Sequence, residues 1–331
     1  MDGSRLLLGV ALPAADPDAI TAHVQAAERS GLNFVLFDDP LGAPGVSTTP
    51  VLLDPIEAAS YASARTREIG LLATASATHA EPYHLSNRFA SLDWGSSGRA
   101  GWVVTVDASP ARAAAYSASP PAADQAVREA DAVVDAARRL WDSWEDGALI
   151  ADSASGRFLD SDRLHYVDVR NEFFAVRGPA LMPRPVQGQV VVLARAADTL
   201  TGADVTLVDA TTPVDATTPA DLATAANQAR TAGAHRVFAE IRTAPGADLL
   251  VLLRRSSRHV DGVLLHPGDE RDAATELLRD LGALIPALVD DGLLAPPRAG
   301  QTLRDQLGLS RPANRYATDR DLAEPREEAR W

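Results

Sequence analysis

The sequence of 331 residues contains no cysteine and no lysine, so all 31 of its basic residues are arginines. Without cysteine the chain has no disulfides, no zinc–thiolate sites and no thiol nucleophile. Without lysine it lacks the lysine of phosphate-binding loops, of protein kinases and of pyridoxal Schiff bases. Its chemistry must therefore come from His, Asp, Glu, Ser, Thr, Tyr or Arg side chains, or from a cofactor.

Long apolar runs and an excess of positive charge are absent as well. A membrane helix needs about 18 consecutive apolar residues, and no run approaches that length. The short run LLLGVALPAA near the N-terminus fits a buried strand better than the core of a signal peptide. The formal net charge of -14 disfavours nucleic acid and anionic membranes as partners. We expect a soluble, cytoplasmic protein.

Short apolar runs alternate with helical patterns along most of the chain. Eight of these runs are predicted to be strands, among them NFVLFDDP, LLATASAT, VVVLARA and VDGVLLHP. Strands that are apolar on both faces and alternate with helices form parallel sheets. Eight of them in a chain of this length predict a (β/α)8 TIM barrel. An open doubly wound sheet is the alternative, but no glycine fingerprint follows the first strand.

The pattern also predicts the limits of the barrel. We expect residues 1–317 to form one barrel domain with a single insertion at about residues 149–188. Within that range RFLDSDRLHYVDVRNEFFAVRG alternates like an antiparallel hairpin, and a proline-rich return follows it. Residues 318–331 are highly charged and are predicted to be a C-terminal tail.

Three parts of the sequence carry longer motifs: TREIGLLATASATHAEPYHLSNRFASLDWGSSGRAGW, then RRLWDSWEDGA with FFAVRGPALMPRPVQG, and finally GQTLRDQLGLSRPANRY. In this order they resemble the luciferase-like flavin-dependent monooxygenases, in the branch of the nitrilotriacetate, dibenzothiophene-sulfone and long-chain alkane monooxygenases. The resemblance implies the same barrel and the oxygenation of a small organic substrate, such as a sulfur- or nitrogen-containing compound. It also implies reduced FMN from a separate NAD(P)H-dependent flavin reductase, and a homodimer or higher homo-oligomer.

The resemblance places the cofactor at the carboxyl ends of the strands, where barrel enzymes have their sites. Asp38, with Asp39 beside it, would lie near the flavin ring at the end of the second strand; a simple turn is the alternative. Ser76 and Thr78 would line the ring after the third strand, and Thr105 after the fourth.

Three further residues complete the candidate site. Arg195, after the fifth strand, would meet the FMN phosphate or else be an outward-facing charge. His79 and His266, after the third and eighth strands, are the candidate catalytic residues. For each of them a histidine without a role in the reaction is the alternative.

Several positions depart from the family pattern. Val103 and Val106 stand where the pattern has Asn and Ser, Val127 stands in place of Tyr, and Ala196 begins a turn without the phosphate-binding Gly and Ser. Only about eight residues join the fifth and sixth strands, whereas a parallel crossover normally takes a dozen or more. We therefore expect FMN to bind weakly or to be absent. The alternatives are a flavin-less barrel that acts as a partner subunit or ligand-binding protein, and a deazaflavin-dependent oxidoreductase.

Overall fold

The strands of the molecule alternate with helices as the sequence predicts. The computed structural model describes residues 5–13, 16–38, 53–210, 219–244, 246–268 and 272–317. In chain order the strands are β1 Leu7–Pro13, β2 Phe34–Asp38, β3 Gly70–Ser76, β4 Ala100–Thr105, β5 Leu149–Asp152, β6 Arg157–Leu159, β7 Val167–Arg170, β8 Ala175–Gly178, β9 Val191–Arg195, β10 Val205–Asp209, β11 Arg236–Arg242 and β12 Gly262–His266. Eight of them close a parallel barrel in the order β1-β12-β11-β10-β9-β4-β3-β2. The predicted TIM barrel is confirmed.

Several of the nine described helices begin at a side chain that caps them. The nine are α1 Pro17–Ser30, α2 Pro55–Ser63, α3 Pro82–Gly95, α4 Pro110–Ala115, α5 Ala123–Asp142, α6 Pro219–Thr231, α7 Leu249–Ser256, α8 Ala273–Asp290 and α9 Leu303–Gln306. The side chain of Asp16, for example, accepts hydrogen bonds from the N–H groups of Asp18 and Ala19 at the start of α1. Gly31 ends that helix in the left-handed conformation, at φ 83°. Within the described ranges, the helices are too short or too polar to cross a membrane.

The second helix ends earlier than the sequence pattern suggests. The pattern predicts a helix that stops at Gly70, whereas α2 ends at Ser63 and Gly70 begins β3. The guanidinium of Arg99 donates to the carbonyls of residues 63, 66 and 69. The carboxylate of Glu28 accepts from the N–H groups of residues 67, 68 and 69. These two buried or half-buried groups satisfy the backbone polar atoms that a longer helix would have paired.

The half of the barrel interior towards the amino ends of the strands is apolar and closely packed. The rings of Phe34 and Phe238 stack across it with their centroids 5.6 Å apart. A Cβ atom on Gly9 would lie 2.1 Å from the Phe34 ring, and one on Gly262 would lie 2.7 Å from the Phe238 ring. Only glycine fits at these two places, because the rings fill the space that a side chain would need. This part of the interior therefore leaves no room for a ligand.

Two antiparallel hairpins, β5–β6 and β7–β8, lie between α5 and β9, inside the range predicted for the insertion. The sequence suggested a single hairpin-like alternation there. A separate apolar cluster holds the second hairpin on α5, with Val167, Val169 and Val176 packed beside Trp144. The α4 helix between β4 and α5 was not predicted. The charged segment 318–331 lies outside the described residues.

The segment that follows α8 closes the amino end of the barrel. Leu303 and Leu307 belong to the cluster of side chains that fills the barrel interior. The N–H of Leu303 donates to the carbonyl of Gly98 at 2.8 Å. The buried Arg304 donates to the carboxylate of Asp204 at 3.0 Å and to the carbonyl of Gln189 at 2.9 Å. With this end closed by packed side chains, a ligand has to enter from the carboxyl end.

Candidate functional site

Polar side chains line the inside of the barrel at its carboxyl end. The last apolar residue that faces inward on each barrel strand belongs to one packed cluster. Residues two apart on a strand share a face, so the next inward position lies two residues further along each strand. The next inward positions are occupied by Asp38, Thr74, Thr105, Arg195, Asp209, Glu240 and His266. The predicted residues Asp38, Thr105, Arg195 and His266 therefore lie at the same end of the barrel.

Glu240 on β11 is the centre of this polar layer, and it was not identified from the sequence. Only 4% of the residue is exposed. Its carboxylate accepts two hydrogen bonds from Arg195, from Nε at 2.8 Å and from Nη2 at 3.0 Å. His266 Nε2 lies 3.2 Å from Glu240 Oε1. The signal that could have revealed Glu240 is a single acid inside the otherwise apolar run VFAEI.

The charges of this cluster stabilise one another. Burial raises the pKa of the Glu240 carboxyl, but the hydrogen bond with His266 and the charge of Arg195 outweigh burial, so the pKa lies below its ordinary value. Burial alone would lower the pKa of Arg195, and the charge of Glu240 reverses this and raises the pKa. The carboxylate and the guanidinium are thus both charged at neutral pH, which is what a bidentate pair out of water requires.

Two further carboxyl groups act on the same arginine. Asp38 and Asp198 both contribute to the raised pKa of Arg195, after the larger effect of Glu240. Burial raises the pKa of Asp198, while Arg195 lowers it and Glu240 raises it. The guanidinium of Arg195 points inward and is paired with Glu240, so Arg195 is not an outward-facing charge. Its contact with a phosphate stays a prediction. Asp39 lies outside the described residues.

The predicted residues after the third strand form a turn. Ser76 Oγ donates to the carbonyl of Thr78 at 3.1 Å and accepts from the Thr78 N–H at 3.2 Å. The Thr78 side chain, which is fully buried, accepts from the N–H of Asp107 at 3.1 Å. These bonds tie the end of β3 to the end of β4, so both hydroxyl groups are already engaged in shaping the edge of the site.

His79 lies apart from the cluster around Glu240. Its backbone is in the left-handed region, at φ 61°, and its N–H donates to the Glu129 carboxylate on α5 at 2.9 Å. The imidazole stacks on Tyr116 with the ring centroids 5.7 Å apart. His79 Nε2 is buried without a hydrogen-bond partner among the described residues. The structure thus separates the two candidate catalytic histidines: His266 contacts Glu240, and His79 packs beside α4 and α5.

After His79 Nε2, the hydroxyl of Thr105 is a second buried polar group that lacks a hydrogen-bond partner among the described residues. Its Oγ1 has no hydrogen-bond partner in the described part of the chain. Of the nearby departures from the family pattern, Val103 is buried inside the barrel beneath Thr105, and Val106 packs against the cluster between the barrel and the helices. A buried hydroxyl without a partner is costly, so Thr105 is the predicted cofactor contact whose hydroxyl is best placed to meet a ligand.

The described residues do not fit the phosphate of FMN. A phosphate site in such folds uses free N–H groups at a helix N-terminus together with unpaired cations. Between β9 and β10 the chain forms only a 3-10 turn, Ala196–Asp198, as the short connection predicted. The cation at this position, Arg195, is already paired with Glu240. The carboxylates that surround it would repel a phosphate.

Comparison with known proteins identifies the family. The sequence model of the luciferase-like monooxygenases matches residues 5–258. This chain belongs to that family, whose members are flavin-dependent monooxygenases. The dibenzothiophene-sulfone monooxygenase of Rhodococcus erythropolis is 39% identical over 144 residues, which are 43% of this chain and 32% of that protein. The predicted resemblance is confirmed.

Two other relatives differ in how much of their length is matched. N-acetyl-S-(2-succino)cysteine monooxygenase of Bacillus subtilis (strain 168) is 36% identical over 172 residues, which are 51% of this chain and 39% of that enzyme. The chain thus matches well under half of the length of this enzyme and of the sulfone monooxygenase. One of the subunits of pristinamycin IIA synthase, from Streptomyces pristinaespiralis, is 30% identical over 316 residues, which are 92% of this chain and 94% of that protein.

Solved structures show the same fold at low sequence identity. A riboflavin lyase with modified FMN and riboflavin superposes with a TM-score of 0.77 at 19% identity, over 94% of this chain and 97% of the lyase. EDTA monooxygenase from Chelativorans sp. BNC1 gives a TM-score of 0.74 at 18% identity, over 93% of this chain and 99% of that enzyme. At such identities the likeness concerns the fold alone.

Proposed function

We propose that this chain is one subunit of a flavin-dependent monooxygenase in which a partner subunit, and not this barrel, holds the reduced FMN. The observation that carries the proposal is the pair of Arg195 with the buried Glu240, because this carboxylate engages the arginine that was expected to meet the FMN phosphate. Similarity over nearly the full length to a protein named as a subunit of a synthase supports it. The proposal is an assembly of two different luciferase-like chains, whereas the resemblance implied a homodimer or higher homo-oligomer.

The assembly would receive reduced FMN from a separate NAD(P)H-dependent flavin reductase and would oxygenate a small organic compound. The flavin supplies the oxygen chemistry in such enzymes, and the protein positions the reactants and excludes water. The contribution of this chain would be to support the flavin-bearing subunit. The Glu240 cluster also argues against a deazaflavin in this barrel, because that coenzyme carries a phosphate as well.

The proposal is tested by separating the two subunits. A second luciferase-like chain from the same genome is expressed alone and together with this one, and flavin content and product formation are measured with enzymatically reduced FMN. We expect this chain alone to be colourless and inactive, and the pair to be more active than the second chain alone. Turnover by this chain alone with reduced FMN would overturn the assignment.

Reduced FMN bound in this barrel is the second candidate, and the unpaired Thr105 Oγ1 favours it. The hydroxyl would hydrogen-bond the flavin ring, while the phosphate would extend into solvent. Thr105→Val distinguishes the two candidates, because it removes the hydroxyl and keeps the shape. If the barrel holds the flavin ring, this substitution weakens FMN binding about tenfold; if a partner holds it, the affinity is unchanged.

A further inference from the structure

The carboxylate of Glu240 is aimed into the barrel from the middle of the polar layer. Glu240 follows Phe238 by two residues on β11, and Phe238 is part of the packed interior beneath it. The two side chains share a face because alternate residues of a strand do. Glu240 is 4% exposed, so its charge acts within a region from which water is largely excluded.

Glu240 lies close to two places where a barrel can bind phosphate: the end of the fifth strand, where the resemblance puts the FMN phosphate beside Arg195, and the loops after the seventh and eighth strands. The strands β11 and β12 are the seventh and eighth of the closed barrel, and phosphate sites in such barrels are frequently built by the loops that follow these two strands. Here that end carries Glu240 on β11 and its neighbour His266 on β12. A carboxylate that is kept charged at this place opposes any anion that approaches it.

The carboxylate of Glu240 also pairs with Arg195, the cation that an anionic ligand would need. Arg195 Nε and Nη2 both donate to Glu240, so a phosphate would have only the guanidinium donors that this bidentate pair leaves over. Asp38 and Asp198 add further negative charge around the arginine.

We infer that Glu240 is a specificity-determining residue, which excludes phosphate-bearing ligands from this barrel and reserves its mouth for a neutral or cationic small molecule. This inference rests on the proposed function, since it gives the physical reason why the flavin would belong to a partner. It assigns to one carboxylate two effects that act together: the repulsion of an anion and the occupation of Arg195.

The test compares FMN with riboflavin, which has the same ring system and lacks the phosphate. Affinities are measured by quenching of flavin fluorescence for the wild-type chain and for Glu240→Gln, which keeps the shape and removes the charge. We expect Glu240→Gln to bind FMN about ten- to a hundredfold more tightly than wild type, since a charge-assisted contact is gained. Riboflavin should bind both proteins equally, and inorganic phosphate should compete with FMN only in the variant.

Two results would overturn the inference. Equal FMN affinity in both proteins would show that Glu240 excludes nothing, and an equal gain for riboflavin would show that space rather than charge had changed. Asp204→Asn is the matched control, because it removes a carboxylate paired with Arg138 and Arg304 at the opposite end of the barrel. It should leave FMN affinity unchanged. If Glu240→Gln does not fold, as judged by circular dichroism and cooperative melting, Glu240→Ala replaces it with the same expected outcome.

The failure of this inference is distinct from the failure of the proposed function. If the variant gains no FMN affinity, Glu240 has no role in exclusion, and the assignment as a subunit still depends on the activity of the two chains together. If this chain alone turns over substrate with reduced FMN, the assignment as a subunit falls. The comparison of FMN with riboflavin then still decides what Glu240 does.

Discussion

Asp93 is a buried carboxyl group whose hydrogen-bond partners are amides, and its burial disfavours the charged form. It is completely buried, and its oxygens accept from Gln187 Nε2 at 2.6 Å, from the Gln187 N–H at 3.3 Å and from the Ala100 N–H at 3.4 Å. Burial raises the pKa of Asp93 to about 6, and the amide hydrogen bonds offset only part of that rise. Glu240 differs from it, because the hydrogen bond with His266 and the charge of the bidentate guanidinium outweigh burial and keep the pKa of Glu240 below its ordinary value.

The raised pKa of Asp93 predicts a dependence of stability on pH. The folded state binds the proton more tightly than the unfolded state, so this group makes the protein less stable as the pH rises from about 4 to about 6. Asparagine does not titrate, so Asp93→Asn does not lose this stability as the pH rises. The free energy of unfolding of the variant, relative to wild type, should therefore improve by roughly 3 kcal/mol between pH 4 and pH 7, as chemical denaturation would measure.

The exposed Asp152 provides a control of opposite sign. Hydrogen bonds from Ser155 and Ala154 lower the pKa of Asp152, so its stabilising effect is present at neutral pH and is lost as the pH falls. The free energy of unfolding of Asp152→Asn should therefore fall furthest below that of wild type at neutral pH. A difference between Asp93→Asn and wild type that stays constant across this range would show that Asp93 is already charged in acid.

At the scale of elements, the short turn between β9 and β10 is the feature that departs most from a regular barrel. A 3-10 turn, Ala196–Asp198, stands where a helix would normally cross. The chain leaves this turn at Thr199 with φ 51°, in the left-handed region. A β-branched residue is rare in that conformation, which costs about 1 to 3 kcal/mol.

Substitution of Thr199 by glycine should stabilise the protein. Glycine adopts the left-handed conformation without a steric penalty, so we expect a gain of about 1 kcal/mol and a higher melting temperature by calorimetry. Ala197→Gly is the matched control in the same turn, where the φ angle is not positive, and it should lower stability. A lower melting temperature for Thr199→Gly would mean that the connection adopts another conformation.

At the scale of the whole molecule, residues far apart in sequence close the amino end of the barrel. Gln306 Nε2 donates to the carbonyl of Glu68 at 2.9 Å, and Leu303 fills the space below Gly70 and Gly101. This segment thus covers the apolar interior that lies between the amino end and the polar layer.

Truncation of Leu303 should therefore destabilise the complete barrel. We expect Leu303→Ala to lower the free energy of unfolding by about 2 to 5 kcal/mol, through lost burial and the cavity left behind. Val251→Ala on α7, where Val251 is 40% exposed, should change it by less than about 1 kcal/mol. Equal effects of the two substitutions, measured by denaturant unfolding, would show that α9 does not seal the interior.

The barrel follows from the sequence alone, since apolar strands that alternate with helices have few other ways to bury both faces of a parallel sheet. The sequence also placed Asp38, Thr105 and His266 at one end, because the carboxyl ends of parallel strands coincide. It anticipated the truncated connection after Arg195 from the number of residues alone. These features depend on periodicity and length, which are local properties of the chain.

Only the tertiary structure decided which charges meet inside the barrel. Glu240 and Arg195 are 45 residues apart and His266 lies 26 residues beyond Glu240, and no local pattern relates them. Their contact depends on the register of β9, β10, β11 and β12 and on which face of each strand turns inward. An ion pair is defined by distances across strands, whereas periodicity describes one strand at a time, so the partners of Glu240 could not be identified before the barrel was closed.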